Sequence, residues 1–421
     1  MRHLFRAVQQ AQYLTEMVDM NKNLENLNIR IRTLTVFRAL LDDPVIKALC
    51  HYLSSLQNGV LSESVSAYSD FVSLIYKSGN GNLTEYIRNI VNNDENVYIK
   101  TIGCKKAVEK IVEDCVAEEL KILQEISSLS PDILRSSLNW EGFLPSFNTY
   151  NVDISVDYKH RVDNIQKYGY GIYAQYHMFY VNEQNSIVPV KNPDGTRLES
   201  LIDYKREQKI IVDNTVALLE DKPAANILLT GDAGTGKSST VKAVVNELYD
   251  RGLRIIEVRK EQLREIPALL DELSVNPLKF ILFIDDLSFQ KDDDNYSALK
   301  AVLEGSVSAK SSNVVIYATS NRRHLVKETF SDREGDDVHR NDTMQEMLSL
   351  SDRFGIQITF QKPDKKTYLD IVSHLAKESG ISLPEKELEL LAEQFALSRG
   401  GRSARAAKQL IDDLIARGTQ K

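Results

Sequence analysis

The stretch "NILLTGDAGTGKSSTVKAVVNELYD", residues 226–250, decides the fold. Its first five residues are an apolar run of strand length, and "STVKAVVNELYD" repeats apolar residues at helical spacing. The link between them fits G-x-x-x-x-G-K-[ST], with Gly231, Gly236, Lys237 and Ser238 at the fixed positions. Gly234 and Gly236 let the loop curl until successive backbone N–H groups point inward, and the following helix adds its positive end. The expected phosphate cradle is Gly231, Asp232, Ala233, Gly234, Thr235, Gly236, Lys237, Ser238 and Ser239. Lys237 is expected on the β- and γ-phosphate oxygens, and the Ser238 hydroxyl on Mg²⁺.

A phosphate loop needs an acidic partner for its metal. "KFILFIDDLSF" supplies one, an apolar strand ending in Asp285, 48 residues after Lys237. The carboxylate falls at the C-terminal edge of a parallel sheet, the edge that also carries the loop. Asp286, next along, is the expected group for orienting and polarising an attacking water.

Around these motifs, short β-branched runs alternate with amphipathic stretches. "RIIEV" (254–258), "KFILFID" (279–285), "NVVIYATS" (313–320) and "GIQITF" (355–360) join "NILLT" as expected strands, and from Pro363 the chain reads helical. Nearly continuous apolar strands alternating with helices predict a parallel sheet covered on both faces.

Upstream, from Thr35 to about Leu138, "VIKALCHYLSSL", "SAYSDFVSLIY" and "KKAVEKIVEDCVAEELKILQEI" carry apolar residues three and four apart. Asn58-Gly59 and Gly79-Asn80-Gly81-Asn82 interrupt them. Between Trp140 and Val190 the composition turns aromatic, with "YKHRVDNIQKYGYGIYAQYHMFYV" at its centre. Tyrosines interleaved with basic residues suit stacking on bases. Packing of one domain on the next, with hydroxyls reaching water, is the stronger reading, because the basic residues are few and acidic ones lie nearby. The expected domains are therefore a helical N-terminal domain (1–138), an aromatic-rich connecting segment (139–200), an α/β core (201–362) and a helical lid (363–421).

Composition narrows the classes. The 421 residues are 42% hydrophobic and 27% charged, as in globular proteins. The net charge of −8 offers no bulk positive field for nucleic acid or anionic lipid, so nucleic acid is disfavoured as a partner. The first 20 residues lack the apolar block of a secretory signal, and no apolar run approaches membrane-span length. Cys50, Cys104 and Cys115 have no metal-ligand spacing and are odd in number, which fits reduced thiols and a cytoplasmic location.

"LLTGDAGTGKSS", "FILFIDDLSF", "IYATSNRRHL" and "LSLSDRFG" resemble the AAA+ class of P-loop ATPases, from about Leu201 to the C-terminus. More narrowly, the chain resembles a bacterial AAA+ ATP-binding family of unassigned function. The resemblance implies ATP and Mg²⁺ as cofactors and a five-stranded parallel sheet of order 5-1-4-3-2 with a helical lid. It also implies Asn321 at the sensor-1 position, Arg353 of "SDRFG" as an arginine finger acting in trans within a homo-oligomer, and Arg405 of "GGRSAR" as the lid residue facing the γ-phosphate, with Arg402 the alternative. A protein partner is then expected through the helical N-terminal domain.

Two departures qualify the resemblance. Asp286 stands where the family usually has Glu, one methylene longer, which implies slow turnover. The interval "EVRKEQLREIPALLDELSVNPLKF" lacks the aromatic-glycine loop with which unfoldases grip a polypeptide, so threading is disfavoured. The implied activity is ATP hydrolysis coupled to partner engagement, with a rarely hydrolysing nucleotide-gated scaffold or a single-stranded-DNA loader as alternatives.

Overall fold

The computed structural model of the protein describes residues 21–289, 294–304, 312–321 and 350–418. Contacts divide the chain into two units, Met1–Gln175 and Tyr176–Lys421, a division inside the aromatic-rich stretch 139–200.

In the first unit the helices α1 (Pro44–Asn58), α2 (Leu61–Gly79), α3 (Leu83–Asn93), α4 (Lys110–Ser127) and α5 (Ile154–Asp163) surround one apolar core. Their ends follow local chemistry. The Asp43 carboxylate accepts the amides of Val45 and Ile46 ahead of Pro44 at the first helical position. Gly59 and Asn80 close α1 and α2 in the left-handed region, and Asn82 caps α3. The buried Glu119 carboxylate accepts the amides of Thr35 (2.6 Å) and Phe37 (2.9 Å), which anchors the loop ahead of α1. The aromatic residues of 140–175 divide in the same way: Tyr158 and Tyr170 are buried, and the Arg161 guanidinium lies 4.9 Å over the Tyr168 ring. Cys50, Cys104 and Cys115 are partly buried and form no disulfide with one another.

The second unit is built on a sheet of seven strands among the described residues: β1 (Met178–Val181), β2 (Ile187–Pro189), β3 (Ile227–Gly231), β4 (Leu253–Glu257), β5 (Lys279–Ile284), β6 (Val314–Ser320) and β7 (Ile356–Phe360). Their order is β2-β1-β4-β5-β6-β3-β7. This corrects the expectation of a five-stranded parallel sheet: the sheet is larger and mixed. The five expected strands, β3 to β7, are all parallel and adjacent as β4-β5-β6-β3-β7. Two strands are added outside β4. β1 pairs with β4 in parallel, and β2 returns antiparallel to β1.

The added hairpin forms because Asn182 organises its turn. Its side chain accepts the amides of Gln184 (3.0 Å) and Ser186 (2.9 Å), and Asn185 adopts φ 58°. Strands of four and three residues inside a tyrosine-rich run carry too little alternation to be read as strands.

Helix α6 (Lys205–Leu219) precedes β3, α7 (Lys237–Leu248) follows it, α8 (Ile266–Ser274) precedes β5, and α9 (Asp294–Glu304) lies between β5 and β6. Every residue of β5 is buried, which explains its unbroken apolar run. One face of the sheet shares a core with α6 and α7 through Ile211, Leu218, Val241 and Val245. The lid helices α10 (Lys365–Glu378), α11 (Glu385–Ser398) and α12 (Ala404–Ala416) pack around Tyr368, Ala392 and Leu410.

Candidate functional site

The loop after β3 is spliced tightly into the sheet. Gly231 has φ 137°, and a Cβ there would lie 2.0 Å from the Phe360 carbonyl oxygen on β7. Gly234 has φ 78°, and a Cβ there would meet the Arg405 side chain at 2.9 Å, so the lid approaches the bare loop backbone. The Arg405 amide donates to the Gly234 carbonyl at 3.2 Å. Both glycines are required by conformation and by space.

Helix α7 begins at Lys237, and its N-terminus opens on a cavity of about 760 Å³. Ala233 to Ser239 of the loop line it, together with Asp285, Asp286, Thr319 and Asn321 from the sheet edge and Arg405 from the lid. Gly231 and Asp232 are not among the lining residues. The Asp232 carbonyl accepts the Thr235 hydroxyl at 2.9 Å and Lys237 Nζ at 2.8 Å.

The buried Lys237 Nζ also donates to the Gly231 carbonyl (2.8 Å) and to Asn321 Oδ1 (3.0 Å). Burial holds this lysine below its ordinary range, against the opposing pull of Asp285, Asp232 and Asp286. Asn321 Nδ2 donates to Asp286 Oδ1 at 2.7 Å, so its amide bridges the lysine and the carboxylate. The Ser238 hydroxyl donates to Asp285 Oδ1 at 2.6 Å, and Thr319 Oγ1 donates to the same oxygen at 2.5 Å. These contacts follow from register. Ile284 on β5 stands opposite Ala318 on β6, which brings Asp285 beside Thr319, while Thr230 on β3 stands opposite Ser320.

Asp285 and Ser238 offer a carboxylate and a hydroxyl oxygen side by side. That hard-oxygen set suits Mg²⁺, which takes one or two protein oxygens and completes its shell with water and phosphate. Among the described residues no cluster of three or more His, Cys, Asp or Glu offers a competing metal site.

The two lid arginines differ. Arg402 is engaged by Glu393 through both Nε (2.9 Å) and a terminal nitrogen (2.6 Å) and does not line the cavity. Arg405 lines it with no side-chain hydrogen bond or ion pair among the described residues. Arg353 does not line the cavity of its own chain; its guanidinium is paired with Glu304 at the end of α9. Of the motif segments, residues 322–325 of "IYATSNRRHL" and 348–349 of "LSLSDRFG" lie outside the described residues.

Three contributors carried no motif signal. Thr319 is a strand-end hydroxyl that contacts both aspartates. Lys408 lines the cavity one turn beyond Arg405, with Asp194 as the carboxylate that feels its charge. Leu201, Ile202 and Tyr204 ahead of α6, and Ile371 and Leu375 on α10, add apolar surface to the cavity lining, the kind of surface that suits the flat face of a nucleobase.

The family described as "Protein of unknown function (DUF815)" matches residues 174–418. The chain belongs to the DUF815 family. The match begins at the division between the two units and includes the β1–β2 hairpin. No curated protein matches the chain. Among solved structures it is similar to C. elegans PCH-2, at 17% identity and TM-score 0.36, over 50% of this chain and 63% of that one. It is also similar to Aeropyrum pernix ORC1 in complex with DNA, at 17% identity and TM-score 0.37, over 52% and 61%. A third is the AAA domain of FIGL-1 in complex with ADP, at 16% identity and TM-score 0.33, over 48% and 67%. This chain thus covers less than two thirds of the first two, and the chemistry of the DUF815 site rests on its own geometry. Among the described residues no helix is long and apolar enough to cross a membrane.

Proposed function

We propose that the α/β unit binds Mg·ATP and hydrolyses it, and that the nucleotide state governs how the helical unit engages a partner protein. The observation that carries this reading is the convergence of Lys237, Ser238, Asp285, Asp286 and Asn321 on one cavity, joined to one another by hydrogen bonds.

Loop amides and the α7 N-terminus receive the phosphates, and Lys237 exchanges its loop carbonyls for phosphate oxygens. Ser238 and Asp285 would hold magnesium, which when bound neutralises charge on the β- and γ-phosphate oxygens. Asp286 accepts the proton of the attacking water, and Asn321 holds that carboxylate in place. From the lid, Arg405 meets charge on the terminal phosphate. Arg353 acts on a neighbour's site within a homo-oligomer, released from Glu304 when a second copy docks.

The test compares the parent with Lys237→Ala by calorimetry with Mg·ATP and by phosphate release. Loss of two charge-assisted contacts weakens binding by at least about a hundredfold and abolishes turnover. Unchanged binding in that variant sinks the reading. For the oligomer, mass in solution with a slowly hydrolysed ATP analogue rises in the parent, and Arg353→Ala removes activity from the assembled species.

One observation favours a second reading, a nucleotide-gated scaffold with little hydrolysis: Asp286 lacks the extra methylene of the glutamate usual in the AAA+ pattern that the sequence resembles. Equal phosphate release from the parent and Asp286→Asn would select it.

A further inference from the structure

Asp286 adopts φ 53°, in the left-handed region that non-glycine residues seldom occupy, though aspartate tolerates it better than most. Such a conformation costs on the order of 1 kcal/mol and persists only where neighbours impose it. Here Asn321 holds the side chain, and one residue, Thr319, meets the backbone amides of the turn. The Asp286 amide donates to Thr319 Oγ1 at 2.9 Å, and the next amide, Leu287, donates to the Thr319 carbonyl at 2.7 Å. The Thr319 proton is directed to Asp285 Oδ1 at 2.5 Å, which leaves the hydroxyl lone pair for the Asp286 amide. Thr319 is itself buried, at 2% exposure, on a strand whose register fixes it.

We propose that Thr319 is the positioning residue for Asp286: by pinning two successive amides it imposes the left-handed turn that delivers a short carboxylate to Asn321. The missing methylene is then a matched feature of this site. The backbone turn, in place of side-chain length, sets the carboxylate 2.7 Å from Asn321 Nδ2. A glutamate would carry its carboxyl beyond that amide and would fit the left-handed backbone less readily. Thr319 acts through Asp286 and takes no part in the reaction itself. The inference rests on the hydrolytic reading above.

The test uses Thr319→Val, which keeps the shape and removes the hydroxyl, Thr319→Ser, which restores it, and Asp286→Glu. Turnover, Mg·ATP affinity and hydrogen exchange at the Asp286 and Leu287 amides are measured in the full chain. In Thr319→Val, kcat falls about tenfold to a hundredfold, as expected for a misplaced catalytic group, and the Asp286 amide exchanges faster. Its Mg·ATP affinity stays within about twofold, the mark of a loss confined to the chemical step. Thr319→Ser recovers both kcat and protection, and Asp286→Glu lowers kcat.

Four results would overturn the proposal: a protected Asp286 amide in Thr319→Val, a serine variant no better than valine, a faster Asp286→Glu enzyme, or affinity lost in step with kcat. The last would assign Thr319 to Asp285 and the metal. A parent that binds Mg·ATP without hydrolysing it refutes the hydrolytic reading, while amide exchange in Thr319→Val still decides whether Thr319 holds the turn.

Discussion

On the sheet side of the cavity, Ser238, Asp285, Thr319, Asp286, Asn321 and Lys237 are linked by hydrogen bonds of 2.5–3.0 Å. On the lid side, Arg405 and Lys408 line the same space with no hydrogen bond or ion pair for their side chains among the described residues. Apart from Lys237, which would exchange its loop carbonyls for phosphate, the sheet groups are held by one another, which would leave little reorganisation for the proposed reaction. The lid cations lack such a partner, and anionic charge in the cavity is what they would meet. Damage to Asp286 and the groups that hold it should therefore appear in chemistry, damage to Lys237 in binding and chemistry together, and damage to the lid side in affinity.

The largest expected effect breaks the sheet wall. Asp286→Asn preserves shape and tolerance of the left-handed backbone but removes the proton acceptor, so phosphate release falls by about a hundredfold to ten-thousandfold. Affinity for Mg·ATP, measured by calorimetry, stays close to the parent's. On the lid wall, Arg405→Ala weakens ATP by about tenfold to a hundredfold, the worth of a hydrogen bond to a charged group, and weakens ADP less. Arg402→Ala sharpens the contrast: with its guanidinium engaged by Glu393, its loss leaves ATP affinity unchanged and lowers only thermal stability slightly.

A smaller effect is expected at Lys408, whose exposed ammonium acts through solvent. Lys408→Ala costs about threefold in ATP affinity at low salt, and the difference shrinks as ionic strength rises. The smallest is a proton count. Because burial holds the Lys237 pKa below the ordinary lysine value, the free site begins to lose this proton at a lower pH than a free lysine would. Phosphate favours the charged form and raises the pKa again, so binding takes up a proton above the depressed pKa and affinity declines as pH rises through that window. Calorimetry in two alkaline buffers of different ionisation heat reads the uptake. Its absence in Lys237→Ala, where binding remains measurable, assigns it.

Much of the sheet wall was legible because it is made of local grammar. A glycine loop between strand and helix, and aspartates ending an apolar run, read directly as Lys237, Ser238, Asp285 and Asp286. Thr319 was not legible, since its role comes from register across two strands separated by α9 and a threonine ending a strand has no signature. Lys408 looks like any solvated charge on an amphipathic helix. The resemblance puts Arg405 ahead of Arg402, and the physical reason lies outside the motif, in the pairing of Arg402 with Glu393, nine residues before it, and the place of Arg405 on the cavity wall. The β1–β2 hairpin escaped because its strands are too short to show a period and its aromatic residues read as packing or stacking groups and not as strand residues.

That hairpin bears on where this α/β unit can be cut. Asn246 Oδ1 on α7 accepts from His177 Nε2 at 3.2 Å and its Nδ2 donates to the carbonyls of Asp194 and Thr196 at 2.8 Å, tying the incoming chain to the helix that follows the glycine loop. A fragment started at Leu201, where the recognisable motifs begin, would strip β4 of its neighbour and present the bare amides of "LRIIE" to solvent, an open template for self-association. The smallest well-behaved piece should therefore begin ahead of His177, some two dozen residues before the motifs give any reason to.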